Sequence, residues 1–299
     1  MHPSEPGTGL QDTPGRLALS VLLVVTGLAV VYRDVVPELV KAWSTDDNYS
    51  HGFLIPPIAA YLAWERRQRF MAAPVHPSPV GLVVILGSLL VLATGVLGVE
   101  LFLTRISLIG ALAGVVLFLS GWARLWVMVF PLAFLILMVP LPSIIFNQIA
   151  FPLQLVASQF GETVIRAADI PVLREGNVLV LATITLEVAE ACSGIRSLIS
   201  LLTLSIVFGY LADPRPWVRL SIAASTIPVA IVSNGARVAG TGIAAHYFGR
   251  TTAEGFFHEF SGWIVFIVAF ALMLGLQRGL SWLSPGDGPF TGPAVVKAS

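Results

Sequence analysis

Apolar residues gather along this chain into eight runs parted by short polar breaks, at about 15–32, 50–64, 79–98, 105–121, 124–142, 194–211, 216–234 and 260–277. A helix needs about 20 such residues to cross a hydrocarbon core of about 30 Å. The pattern therefore predicts an all-α polytopic membrane protein with about eight transmembrane helices. Pro56-Pro57 interrupts the second run, which reads as a short span flanked by Tyr49, Tyr61 and Trp64 or as a re-entrant segment. The first run, Leu17 to Tyr32, is long for the core of a cleaved leader and has no small-x-small site after it, so it reads as a retained anchor. One transmembrane domain is expected over 1–283, with an extramembrane segment at about 143–193 and a flexible Pro/Gly-rich tail at 284–299.

The pattern changes twice in the extramembrane segment. Ile145, Ile149, Leu153, Val156, Phe160 and Val164 repeat with a helical period, while Asn147, Gln148, Gln154, Ser158, Gln159 and Glu162 supply a polar face. This predicts an interfacial helix lying on the outer leaflet and kinked at Pro152. Beyond the turn cluster Arg174 to Asn177 the period becomes two, over Val178–Val180 and Ile184–Val188. Ile184, Leu186 and Val188 fall on one face and Thr183, Thr185 and Glu187 on the other. A β-hairpin is expected there, running straight into Cys192 ahead of the sixth span.

Composition agrees with a membrane setting: 56% of residues are hydrophobic and 11% charged, with a mean hydropathy of +0.85. Soluble domains carry about 25% charge. Seventeen basic residues balance seventeen acidic ones and form no basic stripe, which excludes a nucleic-acid partner and leaves membrane lipids as the surroundings. Arg16, the cluster Glu65 to Arg69, Arg124, Arg215, Arg219 and Arg278 fall in alternate loops, the pattern expected of the cytoplasmic side. Arg237 and Arg250 run against it. Both termini are then cytoplasmic, and the starts of spans six and eight and the end of span seven share the opposite face.

Three chemically capable residues meet on that face. Cys192 is the chain's one cysteine, so it makes no internal disulfide. It lies in Glu-Ala-Cys-Ser-Gly-Ile-Arg-Ser (Glu190 to Ser197), where unpaired N–H groups at a helix start favour a thiolate, with Ser193 beside it and Arg196 a turn further on. A small buried hydrophobe is the bland alternative. Arg237 closes Ser-Asn-Gly-Ala-Arg, after Asn234; it either snorkels to headgroups or faces a wet site and holds an oxyanion. His258, in Phe-Phe-His-Glu-Phe-Ser-Gly-Trp, is either a hydrated interfacial residue or a general acid and base. The glycines of Gly235 to Gly242 have neither the preceding strand nor the lysine of a phosphate loop, so they read as close helix packing or a break in span seven. His51, near Asp46 and Asp47, lacks metal-ligand spacing and reads as structural or substrate-facing.

These residues resemble the exosortases, polytopic membrane cysteine transpeptidases of Gram-negative bacteria related to the archaeosortases. The resemblance rests on Tyr-Ser-His-Gly-Phe-Leu-Ile-Pro (Tyr49 to Pro56), Ala-Cys-Ser-Gly-Ile-Arg-Ser (Ala191 to Ser197), Asn-Gly-Ala-Arg (Asn234 to Arg237), and His258 followed by Gly262-Trp263. It implies Cys192 as nucleophile, Arg237 as oxyanion or thiolate stabiliser and His258 as general acid and base, with Ser193, Arg196, Asn234, Glu190 and His51 in supporting or substrate-binding places. It also implies an inner-membrane enzyme whose active site is periplasmic and which needs no metal or cofactor. The partners implied are membrane-anchored proteins bearing a C-terminal Pro-Glu-Pro sorting signal, and a link to exopolysaccharide export. Soluble sortases use the same three residue types on an unrelated barrel, which makes the chemistry convergent. The alternative is a transporter or lipid-linked export component without peptidase activity, which requires paired ionisable residues near the bilayer midplane.

Overall fold

The computed structural model describes residues 14–182, 184–188, 194–249 and 256–283. The chain divides into two compact units, Met1–Pro140 and Leu141–Ser299.

In the first unit the helices are α1 (Pro14–Val31), α2 (Val35–Thr45), α3 (Ile55–Glu65), α4 (Arg67–Ala72), α5 (Val80–Leu97), α6 (Leu101–Ser120) and α7 (Trp122–Phe134). Helix α5, packed against α6, is inside out by the standard of a soluble protein. α5 exposes Leu82, Val83, Leu86, Leu90 and Leu97 and buries Gly81, Ser88 and Gly95. Small residues let the two backbones approach, as membrane helices require when no hydrophobic effect drives them together. A Cβ on Gly81 would run into the Phe118 backbone. Pro56 and Pro57 do not break the second apolar run but start α3, since the first helical turn needs no N–H from them. That helix has 11 residues, about 16 Å, and by itself falls short of a bilayer core.

Arg66, Arg67 and Arg124 gather at one end of this unit. Arg66 Nη1 donates to Val127 O at 2.8 Å, Arg124 Nε donates to Ala73 O at 3.2 Å, and Arg124 lies 4.8 Å above the Phe70 ring. Of the basic residues expected to share a side of the membrane, Arg66, Arg67 and Arg124 share an end of this unit. α2, which the apolar pattern does not foresee, is a short amphipathic helix that buries Val35, Leu39 and Trp43.

The second unit holds α8 (Ser143–Ala167), strands β1 (Val172–Glu175), β2 (Val178–Leu181) and β3 (Thr185–Glu187), then α9 (Gly194–Ala212), α10 (Pro216–Phe248) and α11 (Phe256–Leu283). The strands form an antiparallel meander in the order β1-β2-β3, with Glu175 opposite Val178 across a tight turn where Gly176 takes φ 64°. Left-handed backbone suits glycine there. Ile184, Leu186 and Val188 point inward, as the alternation predicts, and join Leu179, Leu181 and Val172 in a core with Ile165 of α8 and Val238, Ala239 and Ala245 of α10.

α8 is a helix through Pro152, as the period predicts, and its small residues form the face packed within the unit. Ala150, Ala157, Ser158, Gly161 and Ile165 face inward while Ile145, Ile149 and Val156 are exposed. The reason is closeness: the small face is what lets α8 lie against α10 and the hairpin. The Ser158 hydroxyl, predicted on the polar face, lies buried between Leu155 O at 2.9 Å and Gly176 O at 3.0 Å. Glu162 ties the two elements together, accepting from Arg174 Nε at 2.8 Å and pairing with Arg166 at 2.9 Å.

The largest departure concerns the seventh span. It does not end at residue 234; α10 continues as one helix of 33 residues. Of the two readings of its glycines, close packing is the one seen: a Cβ on Gly235 would fall 2.5 Å from the Phe160 ring, and one on Gly242 would fall 2.6 Å from Ile165. Counted among the described residues, α5, α6 and α10 are each long and apolar enough to cross a membrane. A fourth crossing results if residues Trp122–Met138 and Ser143–Ala167 are taken together. The described apolar stretches of α1, α9 and α11 are shorter, at Val21–Val31, Arg196–Ala212 and Phe266–Leu280.

Candidate active site

The second unit brings its functional elements together around α10. Leu201 of α9, Ala230 of α10 and Ala269 and Met273 of α11 form a buried cluster, and the Thr226 hydroxyl donates to Ser205 Oγ at 3.0 Å between α10 and α9. At the α9–α10 turn Asp213, 4% exposed, accepts from Arg215 N and Nε at 2.9 Å each and from Nη2 at 2.7 Å. Those hydrogen bonds hold its carboxyl below the usual range, against the opposing pull of burial. Arg219 closes the turn by donating to Asp213 O at 2.6 Å and Tyr210 O at 3.1 Å, the orphan carbonyls of the α9 end. This end therefore fixes how α9 and α10 leave together towards the opposite pole.

Arg237 sits 21 residues beyond the start of α10, about 32 Å along its axis. That distance matches the thickness of a hydrocarbon core. The guanidinium is half-buried and its Nε is shut off from solvent. Asn234, 5% exposed, precedes it by three residues on the same side of the helix. α9 begins at Gly194, two residues beyond Cys192, and the exposed Arg196 is in its first turn. His258 is in the first turn of α11. Glu190, Cys192 and Ser193 lie outside the described residues, as does the side chain of His258. Strand β3 and the helix α9 flank the cysteine segment, as the sequence pattern predicts.

His51 belongs to the first unit, where its ring is 8% exposed in a 3₁₀ segment, Asp47–Phe53. Nε2 donates to Leu137 O at 3.2 Å, and Trp43 Nε1 donates to the next carbonyl, Met138 O, at 2.9 Å. These carbonyls end the helical run after α7 and have no further turn to accept from. A side chain on Gly52 would overlap the Trp43 indole, and Phe53 meets that indole edge-on at 5.3 Å. His-Gly-Phe is thus a clasp around Trp43. Of the two roles open to His51, the structural one has a visible basis.

Arg105 is a residue the apolar pattern passes over. It is 5% exposed, lies within electrostatic reach of Glu38 and Glu100, and its Nε has no hydrogen-bond partner among the described residues. The only signal in the sequence was one cation near the start of an otherwise apolar helix.

A profile of the family described as transmembrane exosortase (EpsH) matches residues 43–275. The chain belongs to the transmembrane exosortase family. The match takes in the His51 clasp, the hairpin, Cys192, Arg237 and His258. No curated protein and no solved structure matches the chain. Membership makes it a membrane protein of a family whose general role is transpeptidation.

Proposed function

We propose that the protein is a membrane cysteine peptidase or transpeptidase that removes a C-terminal sorting signal of the Pro-Glu-Pro type from membrane-anchored proteins. The observation that carries this reading is the family match over residues 43–275, a range that contains Cys192, Arg237 and His258, together with the core in which Leu186 of β3 packs with Val238 and Ala239 of α10.

The Cys192 thiolate attacks the scissile carbonyl carbon, forming a carbon–sulfur bond. The N-terminal dipole of α9 and the nearby guanidinium groups favour the thiolate. Arg237 holds the oxyanion of the tetrahedral intermediate, and Asn234 keeps the neighbouring turn of α10 polar. As the carbon–nitrogen bond breaks, His258 delivers a proton to the leaving amine, and the apolar tail departs. Water or an amine acceptor then attacks the thioester and restores the thiol. β3 is an edge strand of the meander, so an extended signal can pair with it on its way to Cys192. Membrane anchoring presents the substrate at the right depth, which lowers the entropic cost of the encounter.

The test is processing in cells of a reporter that ends in the signal, an apolar helix and a basic tail. Cys192→Ala is expected to leave the reporter uncleaved at unchanged enzyme abundance. Normal cleavage by that variant contradicts the reading.

A further inference from the structure

One face of α10 carries a row of residues spaced by four, Ala224, Pro228, Val232, Ala236 and Gly240, and all five are exposed. The row runs about 24 Å along the helix, at 1.5 Å per residue. Along its middle, α10 and α11 leave a groove of about 380 Å³ lined by Pro228, Val232, Ser233, Ala236, Ile264 and Val268 among others. Every lining residue but one is apolar, so the groove opens to hydrocarbon and not to water.

The exception indicates what fills it. Ser233 is 8% exposed and lines the groove, and its hydroxyl has no partner among the described residues. Other helix serines here turn their hydroxyl back to a carbonyl three or four residues earlier: Ser88 to Val84, Ser205 to Leu202 and Ser225 to Ile222. An unpaired hydroxyl in an apolar setting is costly. A lipid chain offers it no acceptor, whereas a peptide helix offers carbonyls and side-chain hydroxyls. A ridge of small residues is also the surface against which membrane helices pack most closely.

We infer that the groove between α10 and α11 docks a single apolar peptide helix, the membrane anchor of the substrate. This rests on the proposed sorting-signal reading and adds a place to it. Arg237 follows Ala236 directly, and His258 precedes Ile264 by six residues, or about 9 Å of helix. A helix seated in the groove therefore ends beside the residues assigned to the chemistry, and its preceding signal reaches them.

The experiment uses the full chain carrying Cys192→Ala, with Val232→Cys or Ala236→Cys added, against a single-span reporter whose cysteine is stepped along its helix. Oxidative crosslinks are expected at reporter positions repeating every three to four residues. From Leu220→Cys, an exposed site on α10 outside the groove, the yield is expected to be less than a tenth. Nothing lies within 4 Å of where a Gly240 side chain would begin, so Gly240→Leu is expected to keep the thermal stability of the chain while cutting the crosslink yield at least tenfold. Crosslinks without helical period, equal yield from Leu220→Cys, pairing of two enzyme copies in place of the reporter, or indifference to Gly240→Leu each overturn the docking. Tail removal by the chain with Cys192 intact is scored separately. A reporter that docks but is never cleaved contradicts the peptidase reading and leaves the groove standing; one that is cleaved but crosslinks elsewhere does the reverse.

Discussion

Arg237 lies on a helix whose neighbouring turn buries Asn234 and Ser233. A planar guanidinium donates two parallel hydrogen bonds to an oxyanion, whereas lysine offers a point charge. Arg237→Lys is therefore expected to slow reporter processing by about 10²- to 10³-fold, the range for loss of an oxyanion donor, with enzyme abundance unchanged. At the other pole, Asp213 makes a second prediction. Its folded carboxyl titrates below the unfolded value of 3.8, so its ion pair with Arg215 stabilises the fold above that value and is lost as pH falls through the depressed one. Asp213→Asn should lower the melting temperature in detergent at neutral pH, and the gap from the parent should close at pH values below the unfolded carboxyl range. A constant gap across pH contradicts the ion-pair account. Cys192, Arg237 and His258 were singled out in the sequence as candidates by residue type and motif. Ser233 and Arg105 were not, because a missing hydrogen-bond partner is a property of packing and leaves no mark in the local pattern.

The crossing of α8 over α10 sets where Arg237 lies, and glycine makes it possible. Gly235→Ala places a Cβ 2.5 Å from the Phe160 ring, and such overpacking costs about 1–3 kcal/mol. Gly240→Ala meets nothing within 4 Å and is expected to be neutral or to stabilise by about 0.5–1 kcal/mol through helix propensity. Thermal unfolding of the two variants in detergent checks the contrast; equal destabilisation would contradict the packing role of Gly235. β2 and β3 could be read from the sequence because alternation over Ile184–Val188 has no helical counterpart, whereas β1 was missed and its Arg174 and Glu175 were read as turn. The length of α10 could not, since Gly235 to Gly242 looks the same whether it breaks a helix or lets another approach. The inward face of α8 is set by size. In an apolar environment burial selects small residues rather than large ones, so Ala157 and Gly161 went inward and Ile145 stayed out.

For the whole molecule, Arg66 and Arg124 meet at one end of the first unit, and within the second unit Asp213, Arg215 and Arg219 tie the turn between α9 and α10. The orientation we propose puts these arginines on the cytoplasmic side and the cysteine on the opposite face. Because Cys192 is the chain's one cysteine, a membrane-impermeant thiol reagent added to intact spheroplasts should label it, and labelling confined to inverted vesicles would reverse the orientation. The chemistry itself is read from the mass of the peptide that contains Cys192. Isolated from cells making the reporter, that peptide is expected to carry the reporter's acyl fragment as a hydroxylamine-sensitive thioester, absent in Cys192→Ala. Tail removal that proceeds with Cys192→Ala, or an acyl fragment found on any other residue, contradicts the account.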